Sequence, residues 1–232
     1  RVAVLLGNCA EMVELYFGIA RAGLIAVPLN WRLTNGEMSQ LLERAEPALL
    51  VVGAAFAEPF GQTLASAASP ARLWVVGGEL PGAECYERVV EQAGDTPIES
   101  SANDDEPFAI FFTSGTTGLP KGAMVSHRNL VANAFNQFVA DASRPDDVNL
   151  VATPLYHMGA VFMSVTYMML GCTQVVLEKF DPAAWLDAVA RYRASVSLLV
   201  PTMINAVVNH PAIAQADLVS LRCLFYGGRP MP

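Results

Sequence analysis

The chain has 232 residues, 53% of them hydrophobic and 16% charged, with a formal net charge of −8 and a mean hydropathy of +0.36. That supplies a substantial core for one or two domains. No basic patch interleaves with aromatics, which excludes a nucleic-acid partner. The four cysteines, Cys9, Cys85, Cys172 and Cys223, form no C-x-x-C and pair with no spaced histidines; this argues against a disulfide framework or zinc site and for buried thiols of a reduced, cytoplasmic protein.

Residues 2–6 predict a strand, and Glu11 and Glu14 beyond it fit a following helix better than a signal peptide. The helix over 10–22 would turn Met12, Leu15, Tyr16 and Ile19 to one face. Residues 24–29 predict the next strand, closed by Pro28. Thr34 and Glu37 have the spacing of a capping box, opening a helix to about Arg44. Residues 49–52 and 72–76 predict strands, with helices near 56–68 and 84–93. Alternation of this kind predicts an α/β fold of mainly parallel sheet flanked by helices. Residues 94–107 are polar, acidic and bracketed by proline. They predict a surface connector dividing the chain into two α/β lobes, 1–100 and 101–232.

In the second lobe, residues 108–112 predict a buried strand, and Ser126 predicts the cap of a helix. Between them runs Thr113-Ser-Gly-Thr-Thr-Gly-Leu-Pro-Lys-Gly-Ala123. Its glycines permit positive φ and close approach of the backbone to an anion. Loop N–H groups form anion-binding concavities, hydroxyls add donors, and Lys121 adds a mobile point charge. The composition suits polyphosphate, although a Gly/Thr-rich turn without a ligand shares it. Residues 148–177 carry no Asp, Glu, Lys or Arg. Pro154, His157, Gly159 and Gly171 punctuate the stretch, so it predicts strand 148–152, loop 153–157, helix 158–170 and strand 174–178 rather than a membrane span. Asp181 and Pro182 open a helix to Arg193. A strand over 196–200, a helix from Pro201 and a strand over 222–226 lead into Gly227 and Gly228.

The glycine-rich stretch is not a Walker A loop, because Pro120 stands where that pattern has its second glycine. T-S-G-T-T-G-x-P-K-G instead resembles the phosphate-loop signature of the adenylate-forming superfamily: acyl-CoA synthetases, adenylation domains of peptide synthetases and beetle luciferases. The resemblance runs over the whole chain. It implies that Thr113, Ser114, Gly115, Thr116, Thr117 and Gly118 cradle the β- and γ-phosphates of ATP, and that Lys121 is the catalytic cation accompanying pyrophosphate. Pro154-x-x-His157 resembles the family's second signature, which makes His157 a wall or gate of the acyl site, with Met158 and Met203 as further substrate-side candidates. Gly227, Gly228, Arg229 and Pro230 resemble the family's G-G-A-P segment lining the adenine pocket, with Arg229 departing from the usual small residue.

By the same resemblance the sequence is expected to be an internal part of the large N-terminal domain of an acyl-CoA synthetase, truncated at both ends and inactive alone. The whole protein would be an ATP-dependent carboxylate–CoA ligase for a fatty or other hydrophobic acid. Its ligands would be a carboxylic acid, ATP, coenzyme A and Mg²⁺, the metal's protein ligand lying beyond this chain together with a mobile C-terminal domain. The alternatives are a non-catalytic nucleotide-binding fragment, an adenylation domain loading a carrier protein, and a luciferase-like relative.

Overall fold

The computed structural model describes residues 1–61, 63, 72–99, 102–113 and 120–228. The chain divides into two compact units, Arg1–Gly7 with Glu11–Arg128, and Asn8–Ala10 with Asn129–Pro232.

The first unit is built on β1 (Val2–Leu5), α1 (Ala10–Arg21), β2 (Ala26–Pro28), α2 (Asn35–Ala45), β3 (Leu49–Gly53), α3 (Ala54–Ala57), β4 (Arg72–Val76), β5 (Glu84–Cys85), α4 (Tyr86–Gln92), β6 (Pro107–Thr113) and β7 (Lys121–Ser126). Its seven strands lie in the order β5-β4-β3-β1-β2-β6-β7. Neighbours run parallel, save the antiparallel β6–β7 pair. Every residue of β1 is buried, as expected of a central parallel strand covered on both faces. Ala3 and Leu5 join Val27, Leu29, Leu50 and Val52 in a core that α2 closes with Met38, Leu41 and Leu42. The capping box forms as predicted: the Glu37 amide donates to Thr34 Oγ1, and the Thr34 amide donates to the Glu37 carboxylate at 2.8 Å.

The second unit contains β8 (Val148–Val151), α6 (Met158–Met169), β9 (Thr173–Val176), α7 (Pro182–Tyr192), β10 (Val196–Leu199), α8 (Pro201–Val208) and β11 (Cys223–Tyr226), and most of α5 (His127–Asp141). Its all-parallel sheet has the order β11-β10-β8-β9. Alternation along β10 assigns its two faces. Val196 packs with Met163 and Tyr167 of α6. Leu199 packs with Trp185, Leu186 and Val189 of α7. The Trp185 indole N–H donates to Ser197 Oγ at 3.2 Å, and that hydroxyl donates on to Leu150 O at 2.7 Å. Burying an indole of this size contributes about 4 kcal/mol or more. Asp181 caps α7 by accepting from the Ala184 amide at 2.9 Å, with Pro182 in the first turn as predicted.

At the N-terminal ends of these strands lies a buried ionic cluster. Asp147 accepts from Arg222 Nη2 at 2.6 Å, Ser195 Oγ at 2.6 Å and the Arg144 amide at 2.8 Å. Arg222 also donates to Asp141 O at 2.9 Å. Burial by itself would raise the Asp147 carboxyl, but the Arg222 and Ser195 hydrogen bonds outweigh it and hold the group below its ordinary value.

Two expectations change. The predicted division after residue 100 does not separate the sheets: β6 pairs with β2 through Ala26 and Ala109, so residues 107–126 complete the first sheet. The helix predicted over 84–93 begins at Tyr86, because Glu84 and Cys85 add an edge strand to β4. Of the helix predicted near 56–68, Phe56 and Ala57 lie in α3, residues 58–60 turn, and Gly61 and Thr63 are helical; residues 62 and 64–68 lie outside the described residues. The uncharged stretch 148–177 resolves into β8, α6 and β9. Among the described residues no helix is long and apolar enough to cross a membrane.

Candidate functional site

The described ends of the glycine-rich stretch belong to two paired strands. β6 and β7 pair in antiparallel register from Ala109 opposite Val125 to Thr113 opposite Lys121. Thr113 Oγ1 reaches Lys121 O at 3.4 Å, and both residues are exposed. Sequence reasoning expected a loop running directly into a helix. The helix does begin at His127, but Lys121–Ser126 is a strand first. The signal was weak, because Val125 alone in β7 is buried; what makes the strand is the unpaired edge of β6, whose backbone groups need partners.

The two strands approach closely at Gly122. A Cβ there would stand 2.8 Å from Ile110 Cγ2, so glycine is required by packing as well as by any ligand. A second brace escaped sequence reasoning: Arg44, in the last turn of α2, donates from Nη1 to Pro120 O at 2.6 Å. Since β6 is parallel to β2, Thr113 stands at the carboxyl end of its strand, where open α/β sheets bind ligands. Ser114, Gly115, Thr116, Thr117 and Gly118 lie outside the described residues, so Thr113 and Lys121 alone of the predicted phosphate set have a described position.

The other predicted residues belong to the second unit. Residues 153–157 leave the carboxyl end of β8, Met203 follows β10, and Gly227 and Gly228 follow β11. Because these strands are parallel, all of them gather at one edge of the sheet. His157 is exposed and precedes α6, and its ring lies 4.5 Å from that of buried Tyr156. Met158 is exposed. Met203 is half-buried and packs against the Leu150–Trp185 core, so most of its surface is already used. Gly228 has φ +86° and stands close to Val200, a backbone that a side chain would strain. Arg229 and Pro230 lie outside the described residues.

Sequence reasoning also missed Asn8. It lies in the turn after β1 yet is buried in the second unit. Its Oδ1 accepts from the Leu155 amide at 2.8 Å, and its Nδ2 donates to Thr153 O at 3.0 Å and Leu177 O at 3.1 Å. The signal was a lone buried amide in an otherwise ordinary strand–turn–helix, and nothing in the sequence pattern marks its partners. Arg128, read as a solvated charge, is paired: Nε donates to Asp105 Oδ1 at 2.7 Å, and that guanidinium holds the Asp105 carboxyl below its ordinary value.

Among the described residues no three His, Cys, Asp or Glu side chains converge as a metal site. A cavity of about 260 Å³ lined by Val75, Leu80, Cys85 and Arg88, among others, shares no residue with either predicted group.

The AMP-binding enzyme family matches residues 1–232. The feruloyl-CoA synthase of Amycolatopsis sp. is 36% identical over 233 residues, covering 100% of this chain and 45% of that protein. The indoleacetate–CoA ligase of Aromatoleum aromaticum is 34% identical over 241 residues, covering 100% of this chain and 46% of its own length. The inhibitor-bound N-terminal domain of FACL13 from Mycobacterium tuberculosis superposes with a TM-score of 0.90 at 28% identity, covering 100% of this chain and 57% of that one. The chain thus spans about half the length of the curated relatives it matches. Sequence and fold agree that the chain belongs to the AMP-binding enzyme family.

Proposed function

We propose that the whole protein is an ATP-dependent carboxylate–CoA ligase and that this chain supplies its phosphate loop together with residues for the acyl group and adenine. The observation that carries the reading is the end of this strand pair. An exposed hydroxyl, Thr113, and an exposed ammonium, Lys121, are register partners at the carboxyl end of a buried strand, in a family defined by AMP binding. The donor chemistry fits a polyphosphate: hydroxyl and N–H groups for its oxygens and one mobile cation for its charge. The relatives are named as CoA ligases, which supports coenzyme A as the acceptor.

The reaction would run in two steps. A carboxylate oxygen attacks the α-phosphorus of ATP; the bond to the β-phosphate oxygen breaks, and pyrophosphate leaves with acyl-adenylate formed. The CoA sulfur then attacks the acyl carbon and AMP departs. Charge accumulates on the phosphate oxygens during the first step, so fixed donors and a cation lower its barrier. Thr113 to Gly118 would hold the β- and γ-phosphates, and Lys121 would neutralise the leaving pyrophosphate. Mg²⁺ would arrive with ATP and shield the same oxygens. His157 and Met158 would border the acyl group, Met203 would back that border from the core, and Gly227, Gly228, Arg229 and Pro230 would pass beside the adenine. A hydrophobic acid, aromatic as in the names of the two relatives or aliphatic, suits exposed Met158 and the histidine ring. Half-buried and buried thiols that form no disulfide among the described residues suit a reducing cytoplasm.

Lys121→Ala in the full-length protein tests the assignment. Acid-dependent pyrophosphate release should fall about 100-fold or more, in the range found when one transition-state donor is removed, with the circular dichroism spectrum unchanged. An unchanged rate would remove Lys121 from the chemistry.

A further inference from the structure

We propose that Asn8 is a positioning residue: its carboxamide fixes the height of the Thr153–His157 turn at the carboxyl end of β8, and through that turn the acyl side of the site. The inference rests on the reading above that this turn borders the carboxylic acid.

The argument starts from hydrogen-bonding capacity. Between β8 and α6 the chain must turn sharply, and its backbone groups there are not all satisfied by the sheet. Some bonds are local: the His157 amide donates to Pro154 O at 3.0 Å, and the Ala160 amide donates to His157 O at 3.1 Å. The Leu155 amide and the Thr153 carbonyl are instead met by Asn8, as is the Leu177 carbonyl that leaves β9. One planar group therefore accepts once and donates twice, tying the exits of two adjacent strands together. Only a carboxamide has an acceptor and two donors in that plane. A carboxylate of the same size would keep the bond from Leu155 but aim an oxygen at two carbonyl oxygens. A hydrocarbon would remove all three of these bonds. Asn8 is buried, and so are Thr153, Leu155 and Tyr156 on the turn it holds, so water has little room to replace it. His157 and Met158 emerge exposed directly beyond this fixed point. Displacement of a positioned group by about 1 Å can cost about 100-fold in rate, so rigidity here has catalytic value.

The test is Asn8→Asp in the full-length protein, read in two ways. Steady-state pyrophosphate release is measured with ferulate, indoleacetate and octanoate, varying acid and ATP separately. Amide hydrogen exchange is followed across residues 153–158. The expected result is a rise of about tenfold or more in the half-saturating acid concentration, with that for ATP within twofold. Exchange should accelerate at 153–158 and stay unchanged in β10. Equal changes for acid and ATP, or no kinetic change in an active enzyme, would overturn the proposal. If the unsubstituted protein releases no pyrophosphate with any acid, the ligase reading fails separately; exchange then decides the positioning role, and unaltered protection at 153–158 overturns it. Should Asn8→Asp not fold, the native Asn8 side-chain amide protons decide: slow exchange supports the clamp, and exchange as fast as an exposed asparagine refutes it.

Discussion

Replacing Arg222 by Met removes the guanidinium from a carboxylate that keeps only 3% of its side-chain surface exposed. Asp147 would retain Ser195 Oγ and the Arg144 amide but lose its compensating charge. Breaking a buried pair from one side costs about 3–5 kcal/mol. Arg222 keeps 23% of its side chain exposed, so water reaches the vacated space and about 2–3 kcal/mol is expected here. At a urea slope of about 1–3 kcal/mol per molar, the midpoint should fall by about 0.7–3 M. Trp185 lies in the second unit and Trp31 and Trp74 in the first. Changing Trp31 and Trp74 to Phe leaves indole fluorescence reporting the unit that contains the pair, which matters because two units need not unfold in one transition.

The pH dependence provides a second check on the same pair. The folded Asp147 carboxyl lies below its ordinary value, so its contribution is complete above the unfolded value of about 3.9. It is lost as pH falls through the folded value. The gap between native and Arg222→Met midpoints should therefore be full at neutral pH and narrow progressively below about pH 4. A midpoint unchanged by the substitution, or a gap equally wide at pH 7 and in strong acid, would refute the assignment of stability to this pair.

Other expectations are simpler. Gly122→Ala places a methyl 2.8 Å from Ile110 Cγ2; the branched neighbour cannot swing away, so the first unit should lose about 1–3 kcal/mol, read by thermal unfolding through Trp31 and Trp74. Asp181→Ala removes the acceptor for the Ala184 amide and should cost about 1 kcal/mol, with faster amide exchange confined to the first turn of α7.

Much of the architecture was legible because each element carries its own stop and start. The Thr34–Glu37 box and the Asp181–Pro182 cap formed where their spacing placed them. The punctuated stretch from 148 to 177 fell into strand, helix and strand. What failed depended on partners distant in sequence. β7 has little amphipathic signal and exists because β6 offers an edge. The lobe boundary was placed by a polar connector, whereas strand pairing with β2 decides it. Of the site, the motif residues could be named from sequence, but the supports could not. Arg44 and Asn8 reach Pro120 and Leu155 across long stretches of chain, and no local pattern announces a side chain whose partners are backbone groups elsewhere.

The ladder joining Thr113 to Lys121 acts as a ruler. Side chains alternate between the two surfaces of a sheet, so sliding β7 by one residue would carry the ammonium to the opposite surface. A length change within the paired legs would thus move the ammonium, which makes the pairing of six ordinary residues the guardian of a single charge's address.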